Sequence, residues 1–168
     1  MDTQPHSPHA GALRKGRYSE SLGLYFLTKC TLNHHVLTDD QRVDLVTAFF
    51  HFRDTSDLLL HAFVVMPDHW HVLLSLGTHL SLAELMHGIN RHASYRARQT
   101  GVAIPWHREY HDHKLRPEES VVDIVQYIEA NPTRKALVEQ TEEWSWSSAH
   151  PQYRDKLDRA FLGHERWV

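Results

Sequence analysis

A chain of 168 residues that is 41% hydrophobic can bury one sizeable core and is short for two domains. No apolar run approaches the roughly 20 residues needed to span a bilayer, and a lone cysteine, Cys30, excludes an internal disulfide framework, so a reducing, cytoplasmic setting is expected. A formal charge of −3, with 16 histidines counted neutral, argues against a uniformly basic nucleic-acid binder.

Residues 1–17 are rich in Pro, His, Gly and Ser and lack the apolar block of a secretory signal. They read as a flexible tail that carries a basic cluster, Arg14, Lys15 and Arg17. Residues 22–31 (LGLYFLTKCT) mix apolar, aromatic and β-branched types and predict a strand. Thr38 followed by Gln41 is a capping box, opening a helix with apolar positions Val43, Val46, Phe49 and Phe50. Two apolar runs follow, 58–65 and 69–76, separated only by Met66-Pro67-Asp68, a hairpin connection.

Ser81 and Glu84 form a second capping box, with Leu80 and Leu85 placed as a hydrophobic staple. That helix carries Leu85, Ile89 and Ala93 inward and should stop near Gly101. Residues 106–115 read as extended. Pro117 suits the first turn of a third helix, with Val121, Ile124, Val125 and Ile128 on its buried side, and Asn131-Pro132 ends it. The order strand, helix, strand, strand, helix, strand, helix predicts an α+β, ferredoxin-like fold: an antiparallel sheet with helices packed on one face and the other face open to a ligand. The domain is expected to occupy 18–150, with 151–168 as a C-terminal extension.

The chemistry concentrates at Met66-Pro-Asp-His-Trp-His-Val-Leu-Leu74. Side chains alternate along a strand, so His69 and His71 share one face about 7 Å apart along the backbone and can share a metal ion. In a chain this rich in histidine the spacing alone is weak, and a second pair, His111 and His113, lies in a polar stretch where DNA contact or solvent exposure explains it. What separates the first pair is its place at the start of a hairpin strand. On the third helix Tyr127 and Asn131 are four apart and share a face, offset from the apolar stripe, so a phenol and an amide oxygen are offered together. Between residues 91 and 116, Arg91, Arg96, Arg98, Arg108, Lys114 and Arg116 outnumber the acids Glu109 and Asp112 and are candidate DNA contacts, although a solvated helix face accounts equally for the first three.

Met66-Pro-Asp-His-Trp-His-Val-Leu-Leu, then Tyr127-Ile-Glu-Ala-Asn-Pro, then Trp144-Ser-Trp-Ser-Ser, with Arg14-Lys-Gly-Arg17 ahead of Tyr25-Phe-Leu-Thr, resemble the single-tyrosine HUH transposases, most closely their REP-associated branch. The resemblance runs from about Arg14 to His150. It implies that His69 and His71 bind a divalent metal, Mg²⁺ or Mn²⁺, with Asn131 as third ligand. It also implies that Tyr127 is the nucleophile that forms a 5′-phosphotyrosine. The implied partner is single-stranded, hairpin-bearing DNA, handled by a monomer or a homodimer. A domesticated hairpin-binding protein with little turnover is the alternative, given weight by the acidic net charge.

Overall fold

The computed structural model describes residues 23–99 and 101–159. Four strands, β1 (Gly23–Cys30), β2 (Leu58–Val65), β3 (His69–Leu76) and β4 (His111–Lys114), form one sheet in the order β2-β3-β1-β4 with every pairing antiparallel. This is the ferredoxin-like order expected from the sequence. No helix of the described residues is long and apolar enough to cross a membrane.

The long helices α1 (Asp39–Thr55) and α2 (Leu82–Gln99) pack side by side on one face of the sheet. Both start where their capping boxes place them. Thr38 Oγ1 accepts from the Gln41 amide at 3.2 Å, and Ser81 Oγ accepts from the Glu84 amide at 3.2 Å. α2 closes with Val102 N–H bonded to Ala97 O and Gly101 N–H to Arg98 O, a Schellman pattern with Gly101 at φ +78°. Along β3 the alternation sends Trp70, Val72 and Leu74 into this helix-covered core and leaves His69 and His71 on the reverse face. Trp70 is fully buried against Phe49, 5.3 Å between ring centroids, so the residue between the two histidines anchors their strand. Val43, expected inward, is half exposed, and Leu45 and Ala48 fill the core beside Val46 and Phe49 instead.

The reverse face is not fully open. α3 (Val121–Glu129) packs across β2 and β3 there, burying Val125 and Ile128 against Ala62, Val64, Leu73 and Trp144. Helices therefore lie on both faces, and among the described residues only the β1/β4 side of the reverse face is left without a helix. α3 also starts later than expected. Ser120 is its N-cap, accepting from the Asp123 amide, so Pro117 precedes the helix instead of standing in its first turn. α3 ends at Glu129, just ahead of Asn131-Pro132 as expected, and that pair also opens a further turn, α4 (Asn131–Arg134), with the proline in its first turn.

The outer edge of β2 is covered rather than exposed. Val65 N–H donates to Trp146 O, Ser148 N–H to Phe63 O, and Asp158 N–H to Leu60 O. The Trp144-Ser-Trp-Ser-Ser segment is thus an edge cover, with the Trp144 indole donating to Val65 O. Residues 151–159, read as an extension, belong to the packed unit. α5 (Pro151–Arg154) sets Tyr153 against Phe50 and Phe63, and Asp158 bonds Arg53 and the Leu60 amide. The tail 1–17 and residues 160–168 lie outside the described residues.

Candidate active site

The β1–β3 register puts Thr28 opposite His71 and Cys30 opposite His69, so the histidine pair stands mid-sheet with backbone on both sides. The two rings lie 4.9 Å apart between centroids. Each has its Nδ1 engaged. His69 Nδ1 is 2.6 Å from Asp68 Oδ1, and His71 Nδ1 is 2.7 Å from Thr28 Oγ1. Asp68 also takes His34 through its other oxygen at 2.8 Å. With Nδ1 occupied, Nε2 of each ring is the atom left for a ligand.

Burial, reinforced by neighbouring His69, pushes the His71 pKa down to about 3, so this imidazole is neutral over the physiological range. Burial works to raise the Asp68 carboxyl, but hydrogen bonds from His34 and His69 outweigh it and hold Asp68 below its ordinary value. An ionised Asp68 carboxylate accepts from His69 Nδ1 and fixes the ring, leaving Nε2 as the atom available to a ligand.

α3 brings Tyr127 over the pair. Its ring lies 6.0 Å from that of His71 and 6.0 Å, edge-on, from Phe26 of β1, while Phe26 itself packs 5.4 Å from His71. Tyr127 is 41% exposed, so the phenol borders solvent rather than the core. Asn131 is buried, with Nδ2 donating to Tyr127 O at 2.8 Å, which fixes the amide; among the described residues nothing bonds its Oδ1. Tyr127, Asn131, His69 and His71 all line one open cavity of about 1110 Å³. The sequence-derived set comes together within a single chain.

Two imidazoles and one amide oxygen suit a divalent cation with coordination positions to spare. Among the described residues, no group of three or more His, Cys, Asp and Glu side chains is placed to hold a metal, and the Asn131 amide lines the same cavity as the two histidines.

The expected DNA contacts are dispersed. Arg91 and Arg98 are exposed on α2, behind the sheet from the cavity, and Arg96 lies on the same helix. Arg108 and Arg116 flank β4, and Lys114 pairs with Tyr25 on the helix-covered side. Arg14, Lys15 and Arg17 lie outside the described residues. The cations at the cavity are ones the sequence reading passed over. Arg134 sits 5.0 Å over the Tyr127 ring, and Lys135 lines the cavity. Spacing held the signal for Lys135, since Tyr127, Asn131 and Lys135 recur at four-residue steps. Thr28 and Asp68 gave no such signal. The register also sets His111 opposite Thr28 and His113 opposite Phe26, on the face of the sheet that carries His69 and His71, where His113 bonds Glu119.

The model of the family described as "Transposase IS200 like" matches residues 22–131, a stretch that includes all four of these side chains. The chain belongs to this family. It is 26% identical over 111 residues to a Haemophilus influenzae protein named "Putative REP-associated tyrosine transposase", and the match spans 57% of this chain and 61% of that protein's length. The fold is shared with a solved REP-associated tyrosine transposase bound to a REP hairpin, at a TM-score of 0.69 and 22% identity over 84% of this chain and 86% of the other. The single-tyrosine transposase family expected from the motifs is thereby borne out.

Proposed function

We propose that this transposase-family chain cleaves and rejoins single-stranded, hairpin-bearing DNA through a covalent tyrosyl intermediate. The observation that carries the reading is the single cavity lined by Tyr127, Asn131, His69 and His71, with the Tyr127 and His71 rings 6.0 Å apart. In the step inferred, Tyr127 Oη attacks phosphorus and the bond from phosphorus to the 3′ oxygen breaks. The products are a 5′-phosphotyrosine and a free 3′-hydroxyl, and the phenolic proton passes, net, to the released oxygen. Reversal with a second 3′-hydroxyl rejoins the strand.

His69 Nε2, His71 Nε2 and Asn131 Oδ1 would hold a divalent cation, Mg²⁺ or Mn²⁺. When bound, that ion supplies charge neutralisation for the non-bridging phosphate oxygens. The protein groups do the rest. Asp68 and Thr28 fix the two rings, Phe26 and Arg134 bracket the phenol, and Lys135 offers a cation to the DNA backbone. The hairpin carried by the structural relative supports the choice of substrate.

The test is incubation with single-stranded hairpin oligonucleotides and Mg²⁺ or Mn²⁺, followed by denaturing electrophoresis for a protein–DNA adduct. Wild type should form it and Tyr127→Phe should not. Absence of adduct from wild type, or its persistence in Tyr127→Phe, overturns the assignment. Salt-sensitive hairpin binding without any adduct would identify a binding protein instead.

A further inference from the structure

Glu129 lies two residues beyond Tyr127, within the Tyr-Ile-Glu-Ala-Asn-Pro motif, and has no part in the chemistry above. Two residues on a helix are about 200° apart, so Glu129 projects from the side of α3 opposite Tyr127. There its Oε1 accepts from Ser148 Oγ at 2.8 Å and from Arg159 Nη2, with both acid and arginine four-fifths buried. Neither partner is loose. Ser148 is fully buried and exchanges hydrogen bonds with the Phe63 backbone, and Arg159 Nε donates to His61 O at 2.7 Å. One carboxylate thus ties the end of α3 to the β2 edge, through a serine on one segment and an arginine on another.

We propose that Glu129 and Arg159 are positioning residues that set the roll of α3, and through it the place of the Tyr127 hydroxyl above the histidine pair; the catalytic part of this claim rests on the reading under Proposed function. The apolar contacts of Val125 and Ile128 hold α3 to the sheet but are non-directional, so they resist lifting more than rolling. A tyrosine oxygen lies roughly 6 Å from the helix axis, so a 20° roll displaces it by about 2 Å. Misplacement on that scale costs about 100-fold in rate. The ion pair and its serine act directionally, at the end of α3 that carries Tyr127.

Three measurements on the full chain test this: hydrogen exchange of the α3 amides, affinity for a hairpin oligonucleotide, and the single-turnover rate of adduct formation. Arg159→Gln and Glu129→Ala should speed exchange in residues 121–131 by about tenfold while β1 and β3 amides keep wild-type protection. Hairpin affinity should hold, and adduct formation should slow by about 10- to 100-fold. Glu129→Gln, whose amide oxygen still accepts from Ser148 and Arg159, should restore most of the rate. Unchanged α3 exchange in Arg159→Gln overturns the proposal, as does faster exchange spread over the whole sheet, or a Glu129→Gln variant as slow as Glu129→Ala. A wild type that forms no adduct refutes the cleavage reading alone, and the exchange comparison still decides whether α3 is held this way.

Discussion

Replacing Thr28 by valine changes one hydroxyl for a methyl, and it should weaken metal binding before it weakens the fold. Thr28 Oγ1 lies 2.7 Å from His71 Nδ1, and His71 is neutral because burial, reinforced by His69, pushes its pKa down to about 3. A neutral imidazole carries one ring proton. With that proton on Nδ1 and donated to Thr28, Nε2 keeps its lone pair toward the cavity. Valine removes the acceptor, so the ring either retains an unsatisfied N–H, at about 1–3 kcal/mol, or moves the proton to Nε2, where it blocks ligation. Loss of such a partner behind a ligating histidine costs about 10- to 100-fold in metal affinity. Folding should lose about 1–3 kcal/mol, and least where the proton moves to Nε2 and no buried N–H is left unpaired. The assay is a thermal-shift titration with Mn²⁺, paired with adduct formation at limiting and at saturating Mn²⁺. The expected result is a midpoint raised by about 10- to 100-fold, adduct recovered at saturation, and near wild-type behaviour for Thr28→Ser. A Thr28→Val protein that binds Mn²⁺ with the wild-type midpoint would refute both the tautomer argument and the assignment of His71 as ligand.

Mn²⁺ should support adduct formation at least as well as Mg²⁺, because two imidazoles suit it better; strict dependence on Zn²⁺ would contradict the donor set. α4 closes with Leu137 N–H bonded to Pro132 O and Ala136 N–H to Thr133 O, the same pattern that ends α2, but alanine takes the left-handed position at φ +53° where Gly101 serves α2. Ala136→Gly should therefore stabilise the protein by up to about 1 kcal/mol in urea unfolding, and an unchanged or lowered midpoint would count against it. His61 is buried in a β-bulge with Nδ1 against Asp158 O and Nε2 against Ser75 Oγ; burial lowers its pKa, so, like His71, it stays neutral in the fold. The unfolded chain takes up those protons near pH 6.5, so stability should fall as pH drops below that value, levelling for His71 only near its folded value of about 3. At pH 5 the His71 share is about 2 kcal/mol in the metal-free protein, and a His71→Asn variant with an unchanged slope of melting temperature between pH 7 and pH 5 would refute it.

The parts legible in the sequence are those that short-range interactions decide. Both capping boxes span three residues, so Thr38 and Ser81 locate their helices without any knowledge of the rest of the chain. The Met66–Asp68 connection and the two-residue period of a strand put His69 and His71 on one face, and the helical period puts Tyr127 beside Asn131. The start of α3 is ambiguous in the sequence because proline and serine both open helices, and the hydrogen bond from the Asp123 amide selects Ser120.

What tertiary structure decided depends on contacts between residues far apart in the chain. Thr28 and His71 are 43 residues apart, and only the β1–β3 register makes one the partner of the other. The side of the sheet that α3 covers is not encoded in its own apolar stripe, because Val125 and Ile128 could bury equally well against either face. That choice brings Tyr127 to the histidines and leaves Arg91 and Arg98 behind the sheet, although all three stand on amphipathic helices of similar pattern. The sequence determined which chemistry-bearing side chains share a face, since that follows from backbone periodicity alone. The fold decided which faces meet, since sheet register and helix docking are settled by burying the whole core at once.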